Sequence, residues 1–303
     1  MSEVNLWRKK ISPSRDRLQA SVLVWTMGIL LTTTSIGLLI LMTDQAHGQL
    51  ALRAAIVSLG FGFIVWALRA ATPMAGFCGG MICFLVICST EVPRAWPEVH
   101  SGLTPLMMLF LLTYLSTQAG KSRKVRARLA ESRKGRDAAQ VIANLGAAGL
   151  VAGLVAGLAA SPTAAPGVFG HFANHPFVSA ILLGVLAEAT ADTVSSEIGQ
   201  VFGGAPYLLT TLRCVEPGTD GAISVLGTAA GICGAALIVL AGAWAMALDR
   251  HVALAGFCGG VAGLFFDSIL GVTVERRGWF GNDLVNFSST VFAGLVALAL
   301  ANI

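Results

Sequence analysis

Two carboxylates lie four residues apart in a stretch that is apolar enough to cross a membrane. The segment 181–193 has the sequence ILLGVLAEATADT, and a helix brings its Glu188 and Asp192 onto one face. Carboxylates inside membrane helices are costly unless they face protein, water or a cation, and they commonly mark functional sites. We therefore interpret the pair as part of a site. Hydrogen bonding within a helix bundle remains the alternative, especially for Glu188.

A third carboxylate, Asp267, follows two phenylalanines near the end of another apolar run. Burying it unpaired would be expensive, so we predict that a cation or a partner helix faces it. Mg²⁺ takes one or two protein carboxylates together with phosphate oxygens and water. We predict Asp192 and Asp267 as its ligands, with Glu188 as a third. The catalytic candidates are Asp192, Asp267 and Glu197, although simple solvation would also explain Glu197.

An acidic, glycine-rich stretch follows this helix, with the sequence EPGTDGAIS over residues 216–224. Pro217 and Gly218 indicate a turn, and Gly218 and Gly221 allow backbone N–H groups to converge on an anion. The next helix is predicted to begin near 221–224, so its positive N-terminal end points at the same place. An ordinary acidic turn is the alternative.

A polar stripe enters another apolar run, because Arg136, Asp137, Gln140 and Asn144 fall near one helical face. This stripe is a better candidate for binding phosphate than the loose Lys and Arg residues that precede it. The full set of predicted phosphate- or nucleotide-binding residues is Arg136, Asn144, Thr210, Thr211, Arg213, Glu216, Gly218, Thr219, Gly221 and Ser224.

The composition identifies the kind of protein that positions these residues. The 303 residues are 55% apolar and only 12% charged, which excludes an ordinary soluble domain. We predict an all-α, polytopic membrane helix bundle with about nine spans. The runs near 73–90 and 252–271 are rich in glycine and are expected to include short or re-entrant spans.

Lys and Arg residues predict how the chain is oriented in the membrane. The N-terminal arm 1–18 and the segment 121–136 are the most basic parts of the chain, so both are expected in the cytoplasm. Alternation of the spans then places 194–221 and 272–284 on the same side. The N-terminus is therefore predicted to be cytoplasmic, and the candidate residues share its face of the membrane.

Several blocks resemble an integral-membrane family known as domain of unknown function ninety-two, which includes plant phytyl-phosphate kinase. The matching blocks are 135–144 (GRDAAQVIAN), 191–199 (ADTVSSEIG), 210–211 (TT), 215–228 (VEPGTDGAISVLGT) and 267–271 (DSILG). The chain departs from the family pattern at Val194, at 264–266 and at Asp283. The resemblance divides the chain into an arm with two poorly matched spans, 1–70, and a family-like membrane domain, 71–303, whose site faces the cytoplasm.

The resemblance implies transfer of a phosphoryl group from a nucleoside triphosphate, CTP or ATP, to a prenyl monophosphate, either phytyl or polyprenyl. It implies Mg²⁺ as cofactor and a lipid substrate in the membrane, with no nucleic acid as partner. A transporter or lipid-handling protein without catalysis is the alternative, because polar residues in spans also serve passage. A structural assembly partner is a third interpretation, and it leaves the buried carboxylates unexplained.

Overall fold

The protein is an all-α bundle of apolar helices. The structure, a computed structural model, describes residues 11–42, 45–90, 96, 98–121, 135–160 and 175–303. The helices in this part of the chain are α1 Pro13–Leu41, α2 Gln45–Ala67, α3 Pro73–Thr90, α4 Leu103–Gln118, α5 Ala138–Ala160, α6 His175–Phe202, α7 Val225–Ala245, α8 Arg250–Leu270 and α9 Asn282–Ala301. A π-helical turn, Gly271–Glu275, extends α8, and the short strands β1 Tyr207–Leu208 and β2 Ala222–Ile223 pair antiparallel.

Eight of the described helices are long and apolar enough to cross a membrane. The predicted polytopic bundle is therefore confirmed, and α4 is a shorter apolar helix in addition to these eight. The glycine-rich runs expected to be short are instead the continuous helices α3 and α8. Most of the basic segment 121–136 and most of the arm 1–18 lie outside the described residues, so the cytoplasmic orientation stays a prediction.

Helix α6 is the centre of the bundle. It packs against α4, α5, α7, α8 and α9, whereas α1 packs mainly on α5 and α2 on α3. The core around α6 is built from aliphatic side chains such as Leu182, Leu183 and Leu186, which are almost completely inaccessible. Large apolar residues such as Trp25 and Leu59 remain exposed on the outer helices, as expected for surfaces that face lipid rather than water.

Glycines bring the helices around α6 unusually close. A Cβ atom at Gly231 of α7 would meet the Ala191 carbonyl oxygen at 2.6 Å, and one at Gly227 would meet the Ser195 carbonyl oxygen at 2.6 Å. Small residues allow this kind of backbone contact between membrane helices. The glycines therefore fix α7 against the part of α6 that carries the acidic and hydroxyl side chains.

Helix α5 begins with a capping box that also fixes its polar first turn. The Asp137 carboxylate accepts a hydrogen bond from the Gln140 N–H at 3.0 Å, and the Gln140 side chain accepts one from the Asp137 N–H at 3.0 Å. This reciprocal pairing satisfies backbone donors that the first turn leaves free. The preceding Arg136 is held to the start of α3, because its N–H donates to the Ala70 carbonyl and its carbonyl accepts from Thr72 N–H, both at 2.9 Å.

Candidate active site

A polar cavity of about 280 Å³ lies at one end of the bundle. Its walls come from the start of α5, residues 192–200 of α6, the connection 217–224, and the end of α8 with its π turn. Asn282 and Asn286, in the first two turns of α9, close the remaining side. The starts of α5, α7 and α9 and the ends of α6 and α8 therefore meet at the same end of the bundle.

The cavity brings together most of the residues that the sequence singled out. Asp192, Asp267, Glu197, Arg136, Asn144, Gly218, Thr219, Gly221 and Ser224 all line it. These residues come from four separate segments, which lie between positions 136 and 267 of the chain. Their shared location is the property on which a joint role for Asp192 and Asp267 depends.

Helix α6 supplies the polar floor of this cavity. The helix continues to Phe202, well beyond the apolar stretch that ends near Thr193, so Ser195, Ser196 and Glu197 lie on helix rather than in a loop. Successive turns place Asp192, Ser195, Ser196 and Gly199 along one stripe. Each of these four residues lines the cavity.

Glu197 is a buried side chain rather than a solvated one. It is 7% exposed, and its Oε1 accepts a hydrogen bond from the Thr117 hydroxyl of α4 at 3.2 Å. The explanation by solvation is therefore wrong. Its catalytic role stays a prediction.

Glu188 lies deeper in the bundle than Asp192, one helical turn away. It is 1% exposed and is not part of the cavity lining, and neither of its carboxylate oxygens makes a hydrogen bond to the part of the chain that the structure describes. Gly263 of α8 makes room for it, because a Cβ atom there would meet Glu188 Cγ at 2.5 Å. Hydrogen bonding within the bundle and a role as a third metal ligand both stay predictions for Glu188.

Asp267 reaches the cavity from the last turn of α8. Its Oδ2 accepts a hydrogen bond from the Ser289 hydroxyl of α9 at 3.3 Å, so a partner helix does face it. The π-helical turn then begins at Gly271 and brings Glu275 into the same lining. Single π-helical turns of this kind occur often at functional sites, because they change the direction in which side chains point.

The glycine-rich connection packs directly on this end of α8. Gly218 and Gly221 adopt φ values of +82° and +70°, which L side chains adopt rarely. A Cβ atom at Gly271 would meet the Gly221 backbone nitrogen at 2.6 Å, so the two backbones are in contact. The connection is therefore a closely packed wall of the cavity, and anion binding by it stays a prediction.

The hydroxyls of this connection already have partners within the protein. The Thr219 hydroxyl donates to the Glu216 carbonyl at 2.7 Å. Ser224 is the N-cap of α7, since its hydroxyl oxygen accepts a hydrogen bond from the Gly227 N–H at 3.2 Å. The predicted start of this helix near 221–224 is thus correct to within a residue. Phosphate binding by Thr219 and Ser224 stays a prediction.

Four predicted phosphate-binding residues lie away from the cavity lining. They are Thr210, Thr211, Arg213 and Glu216, and all four are exposed. The backbone explains this position, because Leu208 N–H donates to the Arg213 carbonyl at 3.0 Å and Leu212 adopts a φ of +53°. A tight turn therefore carries Thr210, Thr211 and Arg213 away from the cavity.

The lining also contains residues to which the sequence analysis assigned no role. They are Thr193, Ser195, Ser196, Gln200, Asp220, Glu275, Asn282 and Asn286, with a few small or apolar neighbours. Gln140 of the predicted polar stripe lines the cavity as well. Asp220 and Glu275 matter most, because they raise the number of lining carboxylates. The Gly-Thr-Asp-Gly pattern could have indicated Asp220. Glu275 depends on the π turn, for which the sequence carries no evident signal.

Among the described residues, the lining has more acidic than basic side chains. In the part of the chain that the structure describes, the lining carboxylates are Asp192, Glu197, Asp220, Asp267 and Glu275, and the one lining guanidinium is that of Arg136. Arg136 donates a hydrogen bond from Nη2 to the Thr193 hydroxyl at 3.2 Å, which points its side chain toward α6. Within the described residues, no group of three or more His, Cys, Asp or Glu side chains is arranged to hold a metal ion.

The fold and this cavity define the class of protein, a polytopic membrane protein with an acidic, glycine-walled site at one end of its helix bundle. Residues 56–294 match the family described as integral membrane protein DUF92. This match covers more than half of the chain, and the protein belongs to that family. No solved structure matches the chain.

Three curated proteins are similar to parts of the chain. The uncharacterized membrane protein MJ0933 of Methanocaldococcus jannaschii is 43% identical over 115 residues, covering 38% of this chain and 48% of that protein. Protein VTE6, chloroplastic, of Arabidopsis thaliana is 28% identical over 204 residues, covering 66% of this chain and 58% of that protein. The uncharacterized membrane protein sll0875 of Synechocystis is 31% identical over 134 residues, covering 43% of this chain and 52% of that protein. The chain thus spans about half the length of these relatives.

Proposed function

We propose that this protein transfers a phosphoryl group from a nucleoside triphosphate to a prenyl monophosphate at the cytoplasmic membrane surface, giving the diphosphate. One observation carries the proposal: Asp192, Asp267 and Arg136 line a single polar cavity at the end of a membrane bundle. Membership of a family that includes plant phytyl-phosphate kinase supports it. So does the similarity to a chloroplast protein over two thirds of the chain.

The residues around the cavity suit Mg²⁺ bound together with phosphate. Asp192 and Asp267 would hold it, since Mg²⁺ in phosphoryl-transfer sites is usually bound by one or two carboxylates plus substrate phosphates and water. When bound, the ion neutralises charge on the phosphate oxygens. The excess of carboxylates over guanidinium in the lining gives the same indication, because a triphosphate alone would be repelled by these side chains.

The chain's own groups would bind and orient the two substrates. Arg136 offers N–H donors to phosphate oxygens, and its bond to Thr193 keeps the side chain directed into the cavity. The N-terminal end of α7 and the turn at Gly218–Gly221, which also line the cavity, would add backbone N–H groups. Positioning of this kind contributes most of the rate in phosphoryl transfer.

The proposed reaction involves no change of oxidation state, so it requires no oxidant or reductant. An oxygen of the prenyl monophosphate attacks the terminal phosphorus of the triphosphate, and the bond to the leaving nucleoside diphosphate breaks. A phosphate monoester oxygen is already ionised near neutral pH, so no strong base is required. The hydrocarbon tail of the acceptor would remain between the helices and the lipid.

The position of the cavity favours this function over a carrier. A carrier binds its substrate near the middle of the membrane, with paths that open alternately to both sides. Here the polar lining involves helix ends and the connections between them. Flux of a prenyl phosphate into proteoliposomes in the absence of triphosphate would support the carrier instead.

The first prediction is the reaction itself. Purified protein incubated with γ-labelled ATP or CTP, Mg²⁺ and a panel of prenyl monophosphates is expected to give a labelled prenyl diphosphate. The panel should contain phytyl and polyprenyl monophosphates, together with the corresponding alcohols. The proposed function would be contradicted if none of these lipids became labelled under conditions in which a known kinase labels its own substrate.

The second prediction concerns Arg136. Arg136→Ala is expected to raise the KM for the triphosphate by about tenfold, the cost of one charge-assisted hydrogen bond of roughly 1.5 kcal/mol. Arg136→Lys should recover only part of this loss, because lysine keeps the charge but lacks the planar fork. Arg213→Ala is the comparison, since Arg213 is exposed outside the lining. A larger effect of Arg213→Ala than of Arg136→Ala would contradict this assignment.

A further inference from the structure

The side chain of Gln19, near the start of α1, holds a segment that lies 260 positions further along the chain. Its Nε2 donates a hydrogen bond to the Trp279 carbonyl at 2.8 Å. Its Oε1 accepts one from the Gly281 N–H, also at 2.8 Å. One amide therefore binds an acceptor and a donor of the same backbone segment, which fixes that segment more precisely than a single bond or an apolar contact would.

The segment held by Gln19 connects two residues that line the polar cavity. Residues 276–281 join the π turn to α9, and the lining residues Glu275 and Asn282 flank them directly. Within the segment, Gly278 turns with a φ of +69° and its N–H donates to the Glu275 carbonyl at 2.8 Å. Its backbone therefore links two cavity residues from different helices.

The close fit between α1 and this segment extends one turn beyond Gln19. The Asp16 carboxylate lies directly against Gly281, so a side chain at this glycine would have to displace it. The contact occurs at the first turns of α1, whereas the apolar packing of the helix on α3 and α5 is carried further along by Leu23, Met27 and Leu31. The Gln19 bonds are thus additional to the contacts that attach α1 to the bundle.

Helix α1 lies outside the residues 56–294 that match the family, and no residue of α1 lines the cavity. We propose that Gln19 is a positioning residue: by fixing segment 276–281 it sets where Glu275 and Asn282 stand in the cavity lining, so that α1 completes the site without touching substrate. The consequence for activity rests on the proposed phosphoryl transfer. The expected effect on the position of segment 276–281 does not depend on that function.

The test replaces the amide by a group of similar shape that cannot make either bond. In Gln19→Met, amide hydrogen exchange measured by mass spectrometry is expected to become about tenfold faster in peptides covering 276–281, with the rest of the chain unchanged. Gln19→Glu keeps the acceptor for Gly281 N–H and loses the donor for Trp279, so its exchange should be intermediate. Leu18→Met, on the exposed side of the same turn, is the matched control and should exchange like the wild type.

The same variants are then assayed for phosphoryl transfer. Gln19→Met should lower kcat/KM by about tenfold while its thermal unfolding stays close to that of the wild type, and Gln19→Glu should fall between the two. Unchanged exchange in Gln19→Met would overturn the inference. Faster exchange with undiminished transfer would also overturn it, because the bonds would then be only structural. Absence of transfer by the wild type would instead count against the proposed function, and the exchange result would still decide whether Gln19 holds the segment.

Discussion

Asp267→Asn is expected to lower phosphoryl transfer by at least about 100-fold. Changes to residues that only support a metal ligand commonly cost about 10- to 100-fold in metal affinity or activity. Removal of a carboxylate that we propose as a direct Mg²⁺ ligand should therefore reach at least the upper end of that range. Asparagine keeps the shape of the side chain and can still accept the Ser289 hydrogen bond. The loss would therefore come from the missing charge. Asp192→Asn is expected to behave in the same way.

Stability separates this explanation from simple misfolding. Asp267 shares its cavity with four other carboxylates, so neutralising it removes repulsion and should leave the thermal unfolding temperature unchanged or higher. The measurement is transfer of labelled phosphate alongside thermal unfolding of the purified protein in detergent. A preparation that unfolds earlier than the wild type would indicate damage to the fold rather than to the chemistry.

The matched control lies on the same helix. Asp249 is the N-cap of α8, at the opposite end from Asp267, and its carboxylate accepts a hydrogen bond from the Val252 N–H at 2.9 Å. Asparagine caps helices about as well as aspartate, so Asp249→Asn should keep both stability and activity. Full activity in both Asp192→Asn and Asp267→Asn would refute the metal assignment.

The membrane bundle could be predicted from sequence because its cause is local. Lipid cannot hydrogen-bond the backbone, so each crossing segment must be a long apolar helix, and hydropathy identifies it directly. The placement of Asp192 and Asp267 on one cavity was predictable for a related reason. A carboxylate in an apolar helix requires a polar neighbour, and alternating spans bring the ends of α6 and α8 to the same face.

The features that the sequence did not predict depend on contacts between residues that are far apart in the chain. Helix α6 passes beyond its apolar stretch to Phe202, because Gly227 and Gly231 allow α7 to pack against Ala191 and Ser195 and extend the bundle. Hydropathy does not register a helix stabilised in this way. The direction of the turn that carries Arg213 outward, the π turn that brings in Glu275, and the role of Gln19 depend likewise on partners far away in the chain.

The remaining prediction tests whether the glycine-rich wall must fit α8 as closely as it does. Gly221→Ala is expected to lower both stability and phosphoryl transfer severely, because two costs coincide. A left-handed backbone costs an alanine roughly 1–2 kcal/mol. In addition, the new Cβ atom would meet the Ser268 carbonyl oxygen at 2.5 Å and would also clash with the Val272 backbone nitrogen. Backbone atoms cannot rotate away, so the wall or the end of α8 must move, and Asp267 with it.

Gly204→Ala separates these two costs. Gly204 has a φ of +69°, almost the same as the +70° of Gly221, but a Cβ atom there would meet nothing within 4 Å. It should therefore lose only the roughly 1–2 kcal/mol of backbone strain, seen as a modest fall in unfolding temperature, and keep its activity. Equal losses in the two variants would mean that strain alone matters. Gly221 packs against Ser268 and Val272, and Ser268 directly follows Asp267 in the chain. We therefore expect Gly221→Ala to be much more damaging than Gly204→Ala.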